Sequence, residues 1–224
     1  MFEKFCYTFE EGNENLKHLI GERGVRLCGL YRVGLPVPAG FIVTEDAAWK
    51  CLVDDGVQRE VLNRIGHLKL TRTDEPFYVS VRAGKYLTGA GILNVNADNA
   101  DELFKAVLRV HEKCNSSVII QPMVFGNASE NSGTGVVFLM NPRSKEKSFF
   151  GEFLDNAQGN DVVFAVRLPM TMQKMSEEER FKCAYSDLER ACEKIRGSFP
   201  NACDVDFTVE NGKLFILDAH DLSI

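Results

Sequence analysis

Short apolar runs separated by turn-forming residues occupy the middle of the chain, between residues 118 and 167. Two runs, at 118–125 and 135–140, flank a polar segment that contains Ser-Gly-Thr-Gly. A third run at 148–154 leads into Asn-Ala-Gln-Gly, and a fourth covers 161–166. Runs of this length, bounded by glycine and polar residues, predict the strands of an antiparallel meander. The polar residues fall at strand ends and turns, where a ligand can be held.

The first half of the chain predicts helices that alternate with short strands. Residues 1–10 predict an edge strand, and a helix is predicted to pass through 21–31. Thr44 is a good N-cap for a helix that runs to about residue 53. Residues 77–82 predict a strand that ends in Arg82.

Two longer helices are predicted in the rest of the chain. Residues 101–113 carry an apolar stripe at helical spacing, which is typical of a helix packed on a core. Ser176 followed three residues later by Glu179 reads as a capping box for a helix that ends near residue 196.

A β-hairpin is predicted at 204–218, around an Asn-Gly pair. A two-residue turn would pair Glu210 with Lys213, whereas a three-residue loop with a left-handed Gly212 would pair Val209 with Lys213. The choice matters because a slip of one residue moves every side chain to the other face of the sheet.

We favour the three-residue loop because only this register separates an apolar face from a face with three carboxylates. Asp204 then lies opposite Asp218, and Asp206 shares their face. Crowded carboxylates repel one another unless a cation joins them, and such a set suits Mg²⁺. The alternative is a solvated acidic face without an ion. The apolar face of this register comprises Val205, Phe207, Val209, Phe215 and Leu217.

Composition narrows the class of protein. The 224 residues are 45% hydrophobic and 26% charged, which is typical of a soluble globular protein. The net charge of −6 argues against a general surface for nucleic acid or anionic membranes. No apolar run approaches the roughly 18 residues of a membrane span, and Met-Phe-Glu-Lys does not open a signal peptide. Seven cysteines without a CxxC motif suggest reduced thiols, so we expect a cytoplasmic protein.

Glycine, proline and polar residues also recur at spacings that match a known family. They are Gly21, Arg23 and Gly24; 34–41; 80–82; Gln121; 123–127; 132–135; Asn141 and Pro142; Gly151 and Glu152; 156–159; and 161–163. In these residues the chain resembles the N-terminal ATP-binding domain of the pyruvate phosphate dikinase and phosphoenolpyruvate synthase family.

The resemblance implies a fold of the α/β (α+β) class, with two ATP-grasp-like lobes built on antiparallel sheets. The lobes are expected at 1–115 and 116–224, with the nucleotide between them. Beyond residue 94 the family carries a long helical insertion, and this chain passes almost directly to the helix at 101–113.

The resemblance also implies ATP and Mg²⁺ as cofactors and suggests roles for individual residues. Without the resemblance, the sequence around Arg23 fits a solvated helix residue as well as it fits a residue that contacts a ligand. The roles implied for the first half are phosphate binding and catalysis for Arg23 and Arg82, and a loop over the triphosphate for Thr88, Gly89 and Gly91. An adenine pocket is implied for Gln121, Met123 and Val124, and ribose binding or a structural role for Glu152. Asp206 and Asp218 would bind Mg²⁺, with Asp204 as the first acid of the motif, and His220 takes the place of a phosphate-binding arginine.

Three substitutions change the charge of the family pattern. Tyr86 and His220 each stand where the family has an arginine, and Asp218 stands where it has a glutamine. We expect His220 to be mostly neutral, since an unperturbed imidazole has a pKa near 6.5. A unit charge about 4 Å from a phosphate is worth roughly 4 kcal/mol at an effective dielectric of 20, before desolvation. These changes therefore weaken the expected attraction for a triphosphate.

Two hypotheses about function follow. In the first, the chain is a Mg·ATP-binding phosphotransferase domain that passes a phosphoryl group to a histidine on a partner protein. A partner could supply this histidine in trans, since no histidine of the chain lies in the family's Thr-Ser-His-like motif. In the second, it is a catalytically inactive pseudoenzyme of the same fold that acts as a binding, regulatory or assembly module.

Overall fold

The chain folds into two units, each with a five-stranded antiparallel sheet. The structure is a computed structural model that describes residues 4–72, 75–86, 91–141, 146–159, 161 and 167–221. The first unit comprises residues 1–32 and 39–123, and the second comprises 33–38 and 124–224. The predicted fold class, a mixed α/β protein with two antiparallel sheets, is confirmed.

The sheet of the first unit has the strand order β1-β2-β5-β3-β4. The predicted edge strand is present as β1, although it is only three residues long. β5 is the central strand of this sheet, so the division at 115/116 would place it outside its own unit. The strands are β1 (Cys6–Thr8), β2 (Phe41–Val43), β3 (Tyr78–Ala83), β4 (Gly91–Asn96) and β5 (Val118–Pro122).

Helices of the first unit lie on both faces of this sheet. The apolar residues of α3 and α4 form one core with alternate strand residues such as Val79 and Val81. Ile42 points to the opposite face, where Gly24 of α1 packs against it. Because Cβ direction alternates along a strand, this second face also carries Arg82 and its register partner Ile119. The helices are α1 (Lys17–Arg32), α2 (Glu45–Ala48), α3 (Asp55–Lys69) and α4 (Ala100–Cys114).

The sheet of the second unit has the strand order β10-β9-β6-β7-β8. Its core contains Phe153, whose ring lies 4.8 Å from Phe181 and 5.8 Å from Phe207, between ring centroids. Helix α6 packs on β9 and β10. The elements are β6 (Gly133–Met140), β7 (Lys147–Asp155), β8 (Met170–Thr171), α5 (Met172–Glu177), α6 (Lys182–Ser198), β9 (Ala202–Glu210) and β10 (Lys213–Asp221).

Two helix predictions are wrong at their boundaries. The helix after Thr44 ends at Ala48, and the Thr44 side chain makes no capping hydrogen bond. Ser176 lies inside α5 and its hydroxyl donates to the Gln173 carbonyl at 2.6 Å, so it does not cap α6. α3 was not predicted, although Asp54 caps it by accepting hydrogen bonds from two backbone N–H groups. The strand predicted at 161–166 falls almost wholly on residues outside the described ones.

The glycines of the Ser-Gly-Thr-Gly segment serve packing. A Cβ on Gly133 would lie 2.2 Å from the Phe153 ring, and one on Gly135 would lie 2.9 Å from the Phe207 ring. Bare backbone at these two positions of β6 makes room for the aromatic core of the second unit. Among the described helices, none combines the length and apolar character needed to cross a lipid bilayer.

Candidate functional site

The turn of the β9–β10 hairpin is a two-residue turn, so the favoured three-residue loop is wrong. Asn211 and Gly212 both have positive φ, at 51° and 79°, and Glu210 pairs with Lys213. An Asn-Gly pair favours this geometry because it matches the twist of the flanking strands. The backbone N–H of Asn211 donates to Ser132 Oγ at 2.9 Å, which anchors the turn to the residue just before β6.

A β-bulge then changes the register between Ile216 and Asp218. Ile216 pairs with Phe207, but Asp218 pairs with the next strand residue back, Asp206, which leaves Leu217 as the extra residue. The bulge returns the acidic residues to one face, so the predicted shared face of three carboxylates forms through a different register. Phe215 and Leu217 are half-buried and do not belong to the apolar face. Its members in these two strands are Val205, Phe207, Val209, Leu214, Ile216 and Ala219.

His220 completes this face and lies among the three carboxylates. Its Nδ1 is 2.9 Å from Asp204 Oδ2, and its Nε2 is 3.9 Å from Asp206 Oδ2 and 3.7 Å from Asp218 Oδ2. The Asp218 side chain is fully buried, and its Oδ1 accepts a hydrogen bond from the Ala219 N–H. We call these four residues, Asp204, Asp206, Asp218 and His220, the hairpin cluster.

The prediction that His220 is mostly neutral is wrong. Burial by itself lowers the pKa of an imidazole, but here the hydrogen bond to Asp204 and the charges of Asp218 and Asp206 outweigh it. Together they raise the pKa of His220 to about 9. The ring is therefore an imidazolium at neutral pH, and this position keeps a positive charge.

This raised pKa predicts a pH-dependent stability. The protonated ring stabilises the fold below its unfolded pKa of about 6.5, and this stabilisation is lost as the pH rises through about 9. We expect the free energy of unfolding to fall by about 2 kcal/mol over this interval, less than the full linkage value because the side chain is 30% exposed. Urea denaturation of the wild type and His220→Gln measures it. Parallel pH profiles for the two proteins would contradict the assignment.

In the first unit, Arg23 is positioned by a close approach between helix α1 and the end of β3. Gly21 has φ 76° and ψ 167°, which kinks α1 one turn after its start. The Arg23 N–H then donates to the Gly84 carbonyl at 2.9 Å. The Arg23 guanidinium lies 5.9 Å from the centre of the Tyr86 ring. The Tyr86 ring is thus within cation–π distance of the Arg23 guanidinium.

Arg82 is held by a residue that the sequence assigned to a different role. Arg82 Nη2 donates to Gln121 Oε1 at 2.6 Å, and the Gln121 side chain is almost fully buried. Gln121 pairs with Ser80, two residues before Arg82 on the neighbouring strand, so the contact is a diagonal cross-strand pair. The structure thus gives Gln121 a positioning contact that the expected adenine pocket did not include. Only strand register, which the sequence did not provide, could have identified it.

The remaining predicted residues lie in varied surroundings. Met123 and Val124 are both buried, at the point where the chain passes from the first unit to the second. Glu152 is exposed on β7, opposite Thr171 of β8. Gly91 is exposed at the start of β4. Thr88 and Gly89 lie outside the described residues.

A cavity of about 810 Å³ lies in the first unit, next to the kink of α1. Gly21, Glu22 and Tyr86 line it together with Lys17 and Lys85. Its volume is within the range of small-molecule sites in proteins. The segment that carries Arg23 therefore borders open space large enough for a ligand.

Comparison with known proteins gives a consistent set of relatives. No protein-family model matches the chain. Pyruvate, phosphate dikinase of Clostridium symbiosum is 25% identical over 338 residues, which include 97% of this chain and 38% of that protein. The Rickettsia conorii enzyme is 36% identical over 134 residues, which include 56% of this chain and 15% of that protein. Pyruvate, phosphate dikinase 1, chloroplastic, of Zea mays is 30% identical over 159 residues, which include 71% of this chain and 17% of that protein.

The chain spans less than two fifths of the length of these relatives. The alignment of 338 positions exceeds the 224 residues of the chain by more than a hundred, so the chain is shortened within the matched region. This agrees with the absence of the family's insertion.

Solved structures show the fold. D-alanyl-alanine synthetase A from Vibrio cholerae superposes with a TM-score of 0.57 at 8% identity, covering 92% of this chain and 55% of that one. D-cycloserine synthetase DcsG superposes with a TM-score of 0.51 at 13% identity, covering 88% of this chain and 61% of that one. Both are ATP-grasp ligases. The chain is a shortened and divergent relative of the ATP-binding domain of pyruvate, phosphate dikinase, with an ATP-grasp fold.

Proposed function

We propose that this chain is an ATP-binding phosphotransferase domain of the pyruvate, phosphate dikinase type. The observation that carries the proposal is the hairpin cluster. By the resemblance, Asp206, Asp218 and His220 correspond to the family's metal-binding and phosphate-binding positions. The bulge at Leu217 brings them to one face, with both carboxylates within 4 Å of the imidazole. A family site that had lost all function would not need a buried carboxylate beside a charged ring, because burying such groups costs free energy.

The roles of the two units follow from their charges. The hairpin cluster would hold a divalent cation through Asp206 and Asp218, and such an ion would neutralise phosphate charge. Arg82, held by Gln121, and Arg23, in the helix that packs on the same face of the first sheet, would bind phosphate oxygens. Met123 and Val124 would contact the adenine. Phosphoryl transfer depends almost wholly on positioning and charge neutralisation, which is the chemistry that these groups offer.

The phosphoryl group would pass from ATP to an imidazole of a partner protein. We expect this acceptor outside residues 1–224, because none of the four histidines among them lies in the family's phosphohistidine motif. Among them, His111 is buried and its Nδ1 is hydrogen-bonded to the Ser116 carbonyl, and His220 belongs to the hairpin cluster. The burial of His111, and the carboxylates that face both ring nitrogens of His220, argue against either ring as the acceptor.

A second candidate function is nucleotide binding without turnover, in a regulatory or assembly module. One observation favours it. By the resemblance, Tyr86 replaces a family cation, and its ring centre lies 5.9 Å from the Arg23 guanidinium. Transfer of the phosphoryl group from ATP to added partner proteins separates this candidate from the first.

ATP-induced thermal stabilisation tests the proposal. Ligand at ten times its dissociation constant stabilises a folded protein by about 1.4 kcal/mol, so we expect the melting temperature to rise with ATP and a divalent cation. Asp206→Asn combined with Asp218→Asn should abolish the rise. As a matched control, Asp46→Asn with Asp101→Asn removes the same charge from two exposed positions in the first unit. A wild type that shows no rise, or a double variant that keeps it, would overturn the proposal.

A further inference from the structure

The hairpin cluster contains a nitrogen donor where an oxygen-only site would be expected. Mg²⁺ prefers oxygen ligands in near-octahedral geometry and is commonly bound by one or two carboxylates. Here the Nε2 atom of His220 faces the carboxylates of Asp206 and Asp218 at 3.9 and 3.7 Å. Imidazole with carboxylates is a donor set that suits Zn²⁺, Mn²⁺ and related ions.

The other ring nitrogen is held by a carboxylate, as in many histidine metal sites. Nδ1 of His220 lies 2.9 Å from Asp204 Oδ2 and donates its hydrogen there. This contact fixes the orientation of the ring and presents Nε2 to Asp206 and Asp218. Metal-binding histidines almost always have such a partner on the second nitrogen, because it sets the tautomer and raises ligand basicity. One ligand atom from each of Asp204, Asp206 and His220 lies within 4.8 Å of the others.

We propose that Asp206, Asp218 and His220 bind a first-row transition-metal dication in preference to Mg²⁺, with Asp204 as the positioning carboxylate. The ion takes the place of the proton on Nε2. The fully buried carboxylate of Asp218 supplies charge that is shielded from water, which strengthens its attraction for a dication. The inference concerns the same site as the proposed function, so the metal is tested without nucleotide and the two can fail separately.

Mn²⁺ is the principal probe, because the exposed thiol of Cys183 and the partly buried thiol of Cys114 would compete for Zn²⁺ far more than for Mn²⁺. Loss of the free Mn²⁺ signal in electron paramagnetic resonance, in protein without nucleotide, gives its affinity and stoichiometry, and displacement by Mg²⁺ gives the relative affinity. We expect one ion per chain, with Mn²⁺ bound at least about tenfold more tightly than Mg²⁺. Zn²⁺, measured by calorimetry, should bind more tightly still.

Variants separate the ligand from the positioning residue. His220→Gln should remove the preference for Mn²⁺ and the nitrogen coupling in pulsed resonance spectra. Asp204→Asn should weaken Mn²⁺ binding by about 10- to 100-fold while the nitrogen coupling persists. His67→Gln, at an exposed histidine of α3, is the matched control and should change neither. Equal affinities for Mn²⁺ and Mg²⁺ in the wild type, or unchanged Mn²⁺ binding in His220→Gln, would overturn the inference.

Discussion

Replacing Gly21 with alanine is expected to destabilise the protein by at least about 3 kcal/mol. Gly21 has φ 76° and ψ 167°, a region of backbone space that is essentially restricted to glycine and that costs other residues about 1–3 kcal/mol. A Cβ there would also lie 2.3 Å from the Gly84 carbonyl oxygen. The overlap is with backbone, so it cannot be relieved by turning a side chain, and α1 or the end of β3 must move.

Gly212→Ala is the matched control for this prediction. Gly212 also has a positive φ, 79°, but a Cβ there meets nothing within 4 Å. Its cost is limited to the left-handed backbone, about 1–2 kcal/mol. Urea denaturation of both variants measures the difference. Equal destabilisation would show that the approach of Gly21 to Gly84 contributes nothing beyond its backbone conformation.

Arg82→Gln is expected to weaken ATP binding by about a hundredfold, which corresponds to about 2.7 kcal/mol. A guanidinium at about 4 Å from a phosphate is worth roughly 4 kcal/mol at an effective dielectric of 20, and desolvation offsets part of that. Arg82→Lys should recover only part of the loss, because an ammonium lacks the planar fork that Gln121 holds in place.

Arg109→Gln controls for the change in net charge. Arg109 is exposed on α4 in the same unit, so its removal lowers the charge by the same amount without touching the face of the sheet that carries Arg82. Calorimetric titration with ATP is the measurement. A similar loss of affinity in both variants would mean that Arg82 acts only through overall charge.

Much of the fold could be predicted from local patterns. The stripe at 101–113 corresponds to α4, which spans Ala100–Cys114, and the runs in the middle of the chain correspond to β5, β6 and β7. These elements are specified by their own periodicity, and in α4 by Asn99, whose side chain caps the helix. Local sequence is enough for such elements because few long-range contacts decide their type.

The predictions that were wrong concern features that depend on contacts between residues distant in sequence. The turn at Asn211 and Gly212 was set aside because, without a bulge, it would have put Asp218 on the wrong face. The bulge at Leu217 resolves that conflict, and local sequence carries no clear signal for it. Gly133 and Gly135 lie in the turn segment where ligand binding was predicted for the polar residues, but the rings that these glycines accommodate come from β7 and β9.

The charge of His220 could not be predicted from the sequence either. An isolated histidine at pH 7 is mostly neutral, and only the convergence of Asp204, Asp206 and Asp218 raises its pKa to about 9. The same register creates the site and sets its charge. The resemblance to the dikinase family pointed to these residues, and their three-dimensional arrangement shows how they interact.

The central claim is that the chain binds ATP through its phosphates. Calorimetric titration of the wild type with ATP and with adenosine, each in the presence of a divalent cation, tests it most directly. The account predicts one ATP site per chain and adenosine binding at least about tenfold weaker, since the arginines and the cation act on phosphate alone. Equal affinities for the two ligands, or no heat of binding with millimolar ATP, would contradict it.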